Sequence, residues 1–302
     1  MKNRRSIFAA ISLVAFLSIT SPLFGQDQRP VVDDSKTAAE KAIDPKLPTL
    51  YIVGDSTVKS DSPLRGWGQE LAQFFDLRKI NVVNRAIGGR SSRTFQNEGR
   101  WDKVLAELKA GDFVLLQFGH NDVGKYDDPA AKDRPSLHGE GDETVEVTKQ
   151  NGVKEIVHSF GWYMRKYGKD ARAKGATVIF CSMVPHKDWD NGKIVRKESE
   201  TFVKWTENAA KATGAAYIDL NEIIALRFEQ LGLEKVELLF GDKRTHSTQA
   251  GALVNAEAVI AGLKALKRPK LSDYFSEKGK QIEVQNTRAL VVDAPKKQGS
   301  RS

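Results

Sequence analysis

The sequence predicts one α/β domain of three layers, α/β/α, around a five-stranded parallel sheet. Two observations carry that expectation. Short, continuous, β-branched runs bounded by glycine or polar residues recur five times, the pattern of strands buried on both faces. Segments with helical spacing lie between them, and such alternation implies parallel strands joined by right-handed crossovers.

The strand runs are 50–53, 80–83, 113–118, 177–180 and 215–218. Helical patterns are read at 67–77, 100–109, 153–174, 198–213, 221–231 and 247–266. In the last, Ala250, Leu253, Val254, Glu257, Ala258 and Ala261 form a mainly small, apolar stripe. Residues 126–152 are long, polar and without periodicity, and a loop of that length inside a compact domain is usually functional. It follows the third strand, which puts it at the strands' carboxyl ends, where open α/β sheets bind ligands.

The ends of the chain read differently. Residues 1–25 have the layout of a secretory signal peptide: Lys2, Arg4 and Arg5, an apolar run from Ile7 to about Ile19, then Ser21-Pro22. That run is shorter than the roughly 18–20 residues of a membrane span. The absence of cysteine near its end excludes a lipoprotein anchor. Residues 26–48 read as a polar linker, 49–268 as the folded domain and 269–302 as a basic C-terminal tail.

The net charge of +8 comes from the ends: +3 from residues 1–25, −1 from 26–48 and +6 from 264–302, leaving 49–263 balanced at 30 basic and 30 acidic residues. No nucleic-acid partner is implied, and no stable membrane insertion after signal cleavage. One cysteine, Cys181, excludes a disulfide scaffold and reads as a buried thiol. A secreted chain without disulfides points to a bacterial envelope or extracellular setting.

Four segments at strand or helix ends can carry chemistry. Gly54-Asp55-Ser56-Thr57 follows the first strand and exposes a hydroxyl at the sheet edge, although Gly-Asp-Ser is also ordinary turn chemistry. Gly88-Gly89 ends the second strand run, and paired glycines let backbone N–H groups approach an anion or oxyanion. Neither a P-loop nor G-x-G-x-x-G is present. Gln117-Phe118-Gly119-His120-Asn121-Asp122 follows the third strand; Asn121 offers an amide donor for developing negative charge, and His120 reads as a structural histidine before it reads as a base or ligand. Asp242-Lys243-Arg244-Thr245-His246 precedes the last helix, with His246 placed as a base and Asp242 close enough to orient it.

All four stand on one edge of one sheet, in the order Ser, Gly, Asn, Asp/His. With IVGDST, NRAIGGRSSRTF, LLQFGHND and DKRTHSTQAGA spread from Ile52 to Ala252, the chain resembles the SGNH/GDSL hydrolase superfamily and, within it, the rhamnogalacturonan acetylesterase-like carbohydrate esterases. The resemblance implies the flavodoxin-like SGNH hydrolase fold. It makes Ser56 the nucleophile and His246 the base, with an oxyanion hole from the Ser56 and Gly89 N–H groups and the Asn121 amide. Asp242 becomes the orienting carboxylate, with a departure: it precedes His246 by four residues rather than three, and position 243 is Lys. Either the loop bulges by one residue or His246 works with a backbone acceptor; the bulge is favoured because no other carboxylate is near in sequence.

The implied reaction is ester hydrolysis through an acyl-enzyme, with no cofactor and no metal. Its substrate is an acetylated polysaccharide or oligosaccharide, rhamnogalacturonan (pectin) first and xylan as the alternative. Arg90 and Arg93 flank the glycine turn and are candidates to pair with galacturonate carboxylates, or else to form scaffold salt bridges. Trp67, Trp101, Trp162, Tyr163 and Trp189 are candidate flat faces for sugars, Trp67 first, although most such residues serve as core or helix packing. A metallophosphoesterase is the enzymatic rival, because Gly-His-Asn-Asp echoes a ligand motif, but the chain has no Asp-x-His or Gly-Asp-x-x-Asp to complete one. A non-catalytic secreted polysaccharide-binding protein is the rival of another class.

Overall fold

The structure is a computed structural model that describes residues 43–149, 151–284 and 287–295. The stretch read as a signal peptide, most of the stretch read as a linker and residues 296–302 lie outside the described residues. In chain order the first half contains β1 (Thr49–Gly54), β2 (Asn81–Asn84), α1 (Ser92–Asn97), α2 (Arg100–Glu107), β3 (Phe113–Gln117), β4 (Thr144–Thr148), β5 (Lys154–His158) and α3 (Phe160–Ala173). The second half contains β6 (Thr177–Cys181), β7 (Trp189–Asp190), β8 (Lys193–Ile194), α4 (Lys197–Thr213), β9 (Ala216–Ile218), α5 (Leu220–Leu231), α6 (Leu233–Glu237), α7 (Gln249–Ala265), α8 (Glu277–Gln281) and β10 (Val291–Val292).

The main sheet has the order β10-β9-β6-β3-β1-β2. Five of its strands, β2, β1, β3, β6 and β9, run parallel. Alternate side chains along a strand point to opposite faces, and that sorts the core into two layers. Leu50, Ile52, Leu115, Ile179 and Ile218 face α5 and α7; Tyr51, Val53, Val114, Leu116 and Phe180 face α1 to α4. The chain leaves β1 outward to β2 and then crosses back to β3. The ends of β1 and β3 therefore flank the point where the winding reverses, the crevice in which such sheets place ligands.

Three departures from the sequence reading have local causes. The sheet has a sixth strand: β10 pairs antiparallel with β9, Val291 opposite Ile218 and Val292 opposite Tyr217. The segment read as a basic tail is therefore folded against the domain as far as it is described. Leu271 and Phe275 are buried, the Phe275 ring packs 5.3 Å from that of Phe75, and Asp293 accepts from Arg288 and from the N–H groups of Lys267 and Arg268.

The helix read at 67–77 is two short 3-10 turns, Trp67–Gln69 and Leu71–Phe74. Trp67 and Gly68 donate their N–H groups to the carbonyls of Thr57 and Val58, which ties this segment to the turn after β1. The helix read at 153–174 begins only at Phe160, since 154–158 pair with β4 as an antiparallel hairpin. Asn151-Gly152 between alternating apolar residues was the available signal for that hairpin.

Candidate active site

The site starts from a tight turn. A Cβ at Gly54 would lie 2.6 Å from the Gln117 carbonyl oxygen and 2.5 Å from Val58 Cγ2, so only glycine lets β1 leave the sheet this closely. The N–H groups of Val58 and Lys59 then both donate to the Asp55 carbonyl, at 3.1 and 3.0 Å, and Ser56 is left partly exposed at the edge. Beneath it runs a buried chain of donors. Trp67 Nε1 donates to Gln117 Oε1 (2.8 Å), Gln117 Nε2 to Thr57 Oγ1 (2.6 Å), and Thr57 Oγ1 to Asp55 Oδ1 (2.7 Å). Burial pushes the Asp55 carboxyl up to about 6, against the bonds from Thr57.

Opposite Ser56 stands the loop before α7. Gly241 N–H donates to the His246 carbonyl at 2.9 Å, closing the loop on itself. Inside it, Asp242 Oδ1 accepts the N–H groups of Arg244 (3.0 Å), Thr245 (2.8 Å) and His246 (2.9 Å). Oδ2 is then left facing His246 Nδ1 at 2.5 Å, so the loop coils around its own carboxylate and absorbs the four-residue spacing. Burial pushes the Asp242 carboxyl up, but the backbone N–H groups and the His246 ring outweigh it and hold the group at about 2. With its proton on Nδ1, His246 presents Nε2 as an acceptor, and that atom lies 2.8 Å from Ser56 Oγ.

On the other side of Ser56 lies the glycine turn after β2. A Cβ at Gly88 would sit 3.7 Å from Ser56 Cβ, so the turn is in contact with the serine. Gly89 has φ of +75° with open space around its Cα. Among the described residues, neither the Ser56 nor the Gly89 N–H is taken up by a backbone carbonyl. Asn121 completes this side: Nδ2 donates to the Arg90 carbonyl at 3.1 Å, and Oδ1 accepts from Arg134 Nη1 at 3.1 Å. Asp122 braces it from below, accepting from the Ser92 N–H and, at 2.5 Å, from the Ser92 hydroxyl. Full burial pushes Asp122 up to about 7, against the Ser92 bonds.

Ser56, Asn121 and His246 line one cavity of about 640 Å³, together with His120, Met183, Val184, His186, Asp188 and Arg244. The groove between α5 and α7, by contrast, has no serine or histidine in its lining among the described residues. His120 Nδ1 lies 3.1 Å from His186 Nε2. Burial, and then the nearby His246, lower His120 to about 4, so its ring is neutral and forms part of the cavity wall. The arrangement is a hydroxyl, a base and a carboxylate in line, beside N–H donors: the equipment for nucleophilic attack on a carbonyl.

Comparison with known proteins agrees with this geometry. Residues 52–254 match the model of the GDSL-like lipase/acylhydrolase family. The chain belongs to that family. It is a carboxylic ester hydrolase, and its fold is that of the SGNH hydrolases. The rhamnogalacturonan acetylesterase of Emericella nidulans is 38% identical over 212 residues, covering 70% of this chain and 83% of the relative. The probable rhamnogalacturonan acetylesterase YesY of Bacillus subtilis is 32% identical over 237 residues, covering 76% and 98%. Among solved structures, YxiM of Bacillus subtilis superposes with a TM-score of 0.58 at 27% identity, over 72% of this chain and 56% of that one.

Two of the three residues expected at the substrate are buried away from it. Trp67 is fully buried under the Ser56 turn, where its ring packs in the core. Arg93 is also fully buried: Nε and Nη2 donate to Glu155 at 2.8 and 3.0 Å, and Nη1 to the Pro135 carbonyl at 2.8 Å. Arg90 braces its own turn, donating to Glu98 and to the Gly88 carbonyl, both at 3.0 Å. A buried cation requires a partner, and the partner of Arg93 comes from the β4–β5 hairpin. The sequence reading missed His186 and Asp188 as cavity residues. No signal within 183–188 joins them to 244, which contacts Asp188 only through the fold.

Proposed function

We propose that the chain is a secreted serine esterase that removes acetyl groups from a plant-type polysaccharide, acetylated rhamnogalacturonan first, through an acyl-enzyme. The single observation that carries this reading is the hydrogen-bond line Ser56–His246–Asp242, at 2.8 and 2.5 Å, beside the glycine turn and Asn121. Similarity to the rhamnogalacturonan acetylesterase of Emericella nidulans and the probable one of Bacillus subtilis supports the choice of substrate, and the layout of residues 1–25 supports secretion.

In this reading His246 Nε2 takes the Ser56 proton as Oγ attacks the acetyl carbonyl carbon. The carbonyl oxygen becomes an oxyanion and accepts from the Ser56 N–H, the Gly89 N–H and Asn121 Nδ2. Collapse breaks the bond to the sugar oxygen, which receives the proton from His246, and leaves acetyl-Ser56. Water, deprotonated by His246, repeats the attack and releases acetate. Asp242, ionised down to about pH 2, stabilises the imidazolium in both halves.

The test is acetate release from acetylated rhamnogalacturonan and from acetylated xylan, with wild type and Ser56→Ala. Wild type is expected to prefer rhamnogalacturonan, and Ser56→Ala to lose roughly 10⁴-fold or more of turnover. Retained release in Ser56→Ala removes the serine mechanism; preference for xylan changes the substrate while leaving the mechanism standing.

A further inference from the structure

The long loop between β3 and β4 reaches back to the site through one side chain. Arg134 Nη1 donates to Asn121 Oδ1 at 3.1 Å. A guanidinium carries donors only, whereas a backbone carbonyl carries acceptors only. Asn121 lies between one of each: Arg134 is satisfied only by the amide oxygen, and the Arg90 carbonyl only by the amide nitrogen, at 3.1 Å. The two contacts thus select one of the two amide orientations. Nδ2 spends one hydrogen on the Arg90 carbonyl, which leaves it a second to donate, and Asn121 lines the cavity.

Arg134 is itself held. Its Nε donates to the Ala131 carbonyl at 3.1 Å. The next residue, Pro135, accepts from the buried Arg93, which is locked to Glu155 of the hairpin. The chain Glu155–Arg93–Pro135 therefore anchors the loop at the point where Arg134 leaves it.

We propose that Arg134 is a positioning residue for the ester-hydrolysing reaction: it orients and polarises the Asn121 amide so that Nδ2 faces the oxyanion. A cationic donor on the amide oxygen draws electron density from the nitrogen and strengthens its N–H as a donor. The inference rests on the reading of Asn121 as an oxyanion donor.

Turnover of p-nitrophenyl acetate, which has no sugar to bind, separates the two ideas. Removing an oxyanion donor outright costs about a hundredfold to a thousandfold in kcat. Loss of its orientation and polarisation by Arg134→Met is a part of that, about tenfold in kcat with KM within about twofold. Arg134→Lys, which keeps a cationic donor, is expected to recover most of the loss. In an Asn121→Ala background, Arg134→Met is expected to change kcat by less than about twofold, because the group it acts through is gone.

Equal losses in both backgrounds would overturn the proposal, as would an undiminished kcat in Arg134→Met. If Asn121→Ala alone keeps normal turnover, the oxyanion reading of Asn121 fails and this inference with it. Should Arg134→Met not fold, Arg134→Leu, which likewise carries no donor, takes its place in the same cycle.

Discussion

The two sides of the cleft are built on opposite plans. The base side is local: Asp242 binds three N–H groups and one ring nitrogen within four residues of itself. The oxyanion side is assembled at long range, from the turn after β2, the end of β3, a distant loop and a hairpin. The carboxylates differ in the same way. Asp242 is partly exposed and ringed by donors, which hold it at about 2 despite its burial, while Asp122 is fully buried and pushed up to about 7. One residue type thus serves as a permanent charge on one side and as a buried bracket on the other. The decisive variable is the balance of desolvation against hydrogen bonds to the charged form.

The sharpest way to break this comparison is on the base side. Asp242→Asn is expected to lower kcat by roughly 10³–10⁴-fold, because an amide neither holds the Nδ1 tautomer nor stabilises the imidazolium. Steady-state kinetics on a small acetyl ester measure it, and a loss below tenfold would mean that Asp242 only shapes its loop.

A smaller effect, on stability, belongs to the oxyanion side. Arg93→Met leaves Glu155 buried with Lys149 at 3.0 Å as its remaining cation. The expected cost is about 3 kcal/mol, at the lower end for a broken buried pair, read from urea unfolding. Activity on an acidic polymer and on a neutral small ester should fall in equal proportion. A selective loss on the acidic polymer would return Arg93 to the substrate.

The finest test is in the pH dependence of stability. Asp122 has a raised pKa in the folded protein, about 7, against about 3.9 for an unfolded aspartate. Its contribution is therefore complete below about pH 4 and is lost as pH rises through about 7. Asp122→Asn should reduce the fall in unfolding free energy between those limits by up to one proton's worth of slope. An unchanged slope would show that Asp122 is not the group responsible.

What was legible in the sequence follows the same division. Asp242 and His246 could be paired because four residues and one loop contain the whole interaction. Strands with β-branched runs were legible because burial on both faces demands such residues. Trp67 and Arg93 were misread for a common reason: their partners, Gln117 and Glu155, lie 50 and 62 residues away. A side chain's own identity says nothing of whether it faces a sugar or a buried acceptor. The edge strand β10 was hidden in a segment whose net positive charge reads as a tail, although Leu290-Val291-Val292 was the visible trace.

The amino-acid sequence by itself determined the layered α/β architecture, the four motifs and their order along one sheet edge, since periodicity and turn chemistry are local properties. Only the tertiary structure decided how Asn121 is oriented, that Arg93 is a buried anchor, and which residues from 183–188 wall the cavity. Those outcomes depend on desolvation and on hydrogen-bond partners brought together by the crossovers, and both arise only when distant segments pack.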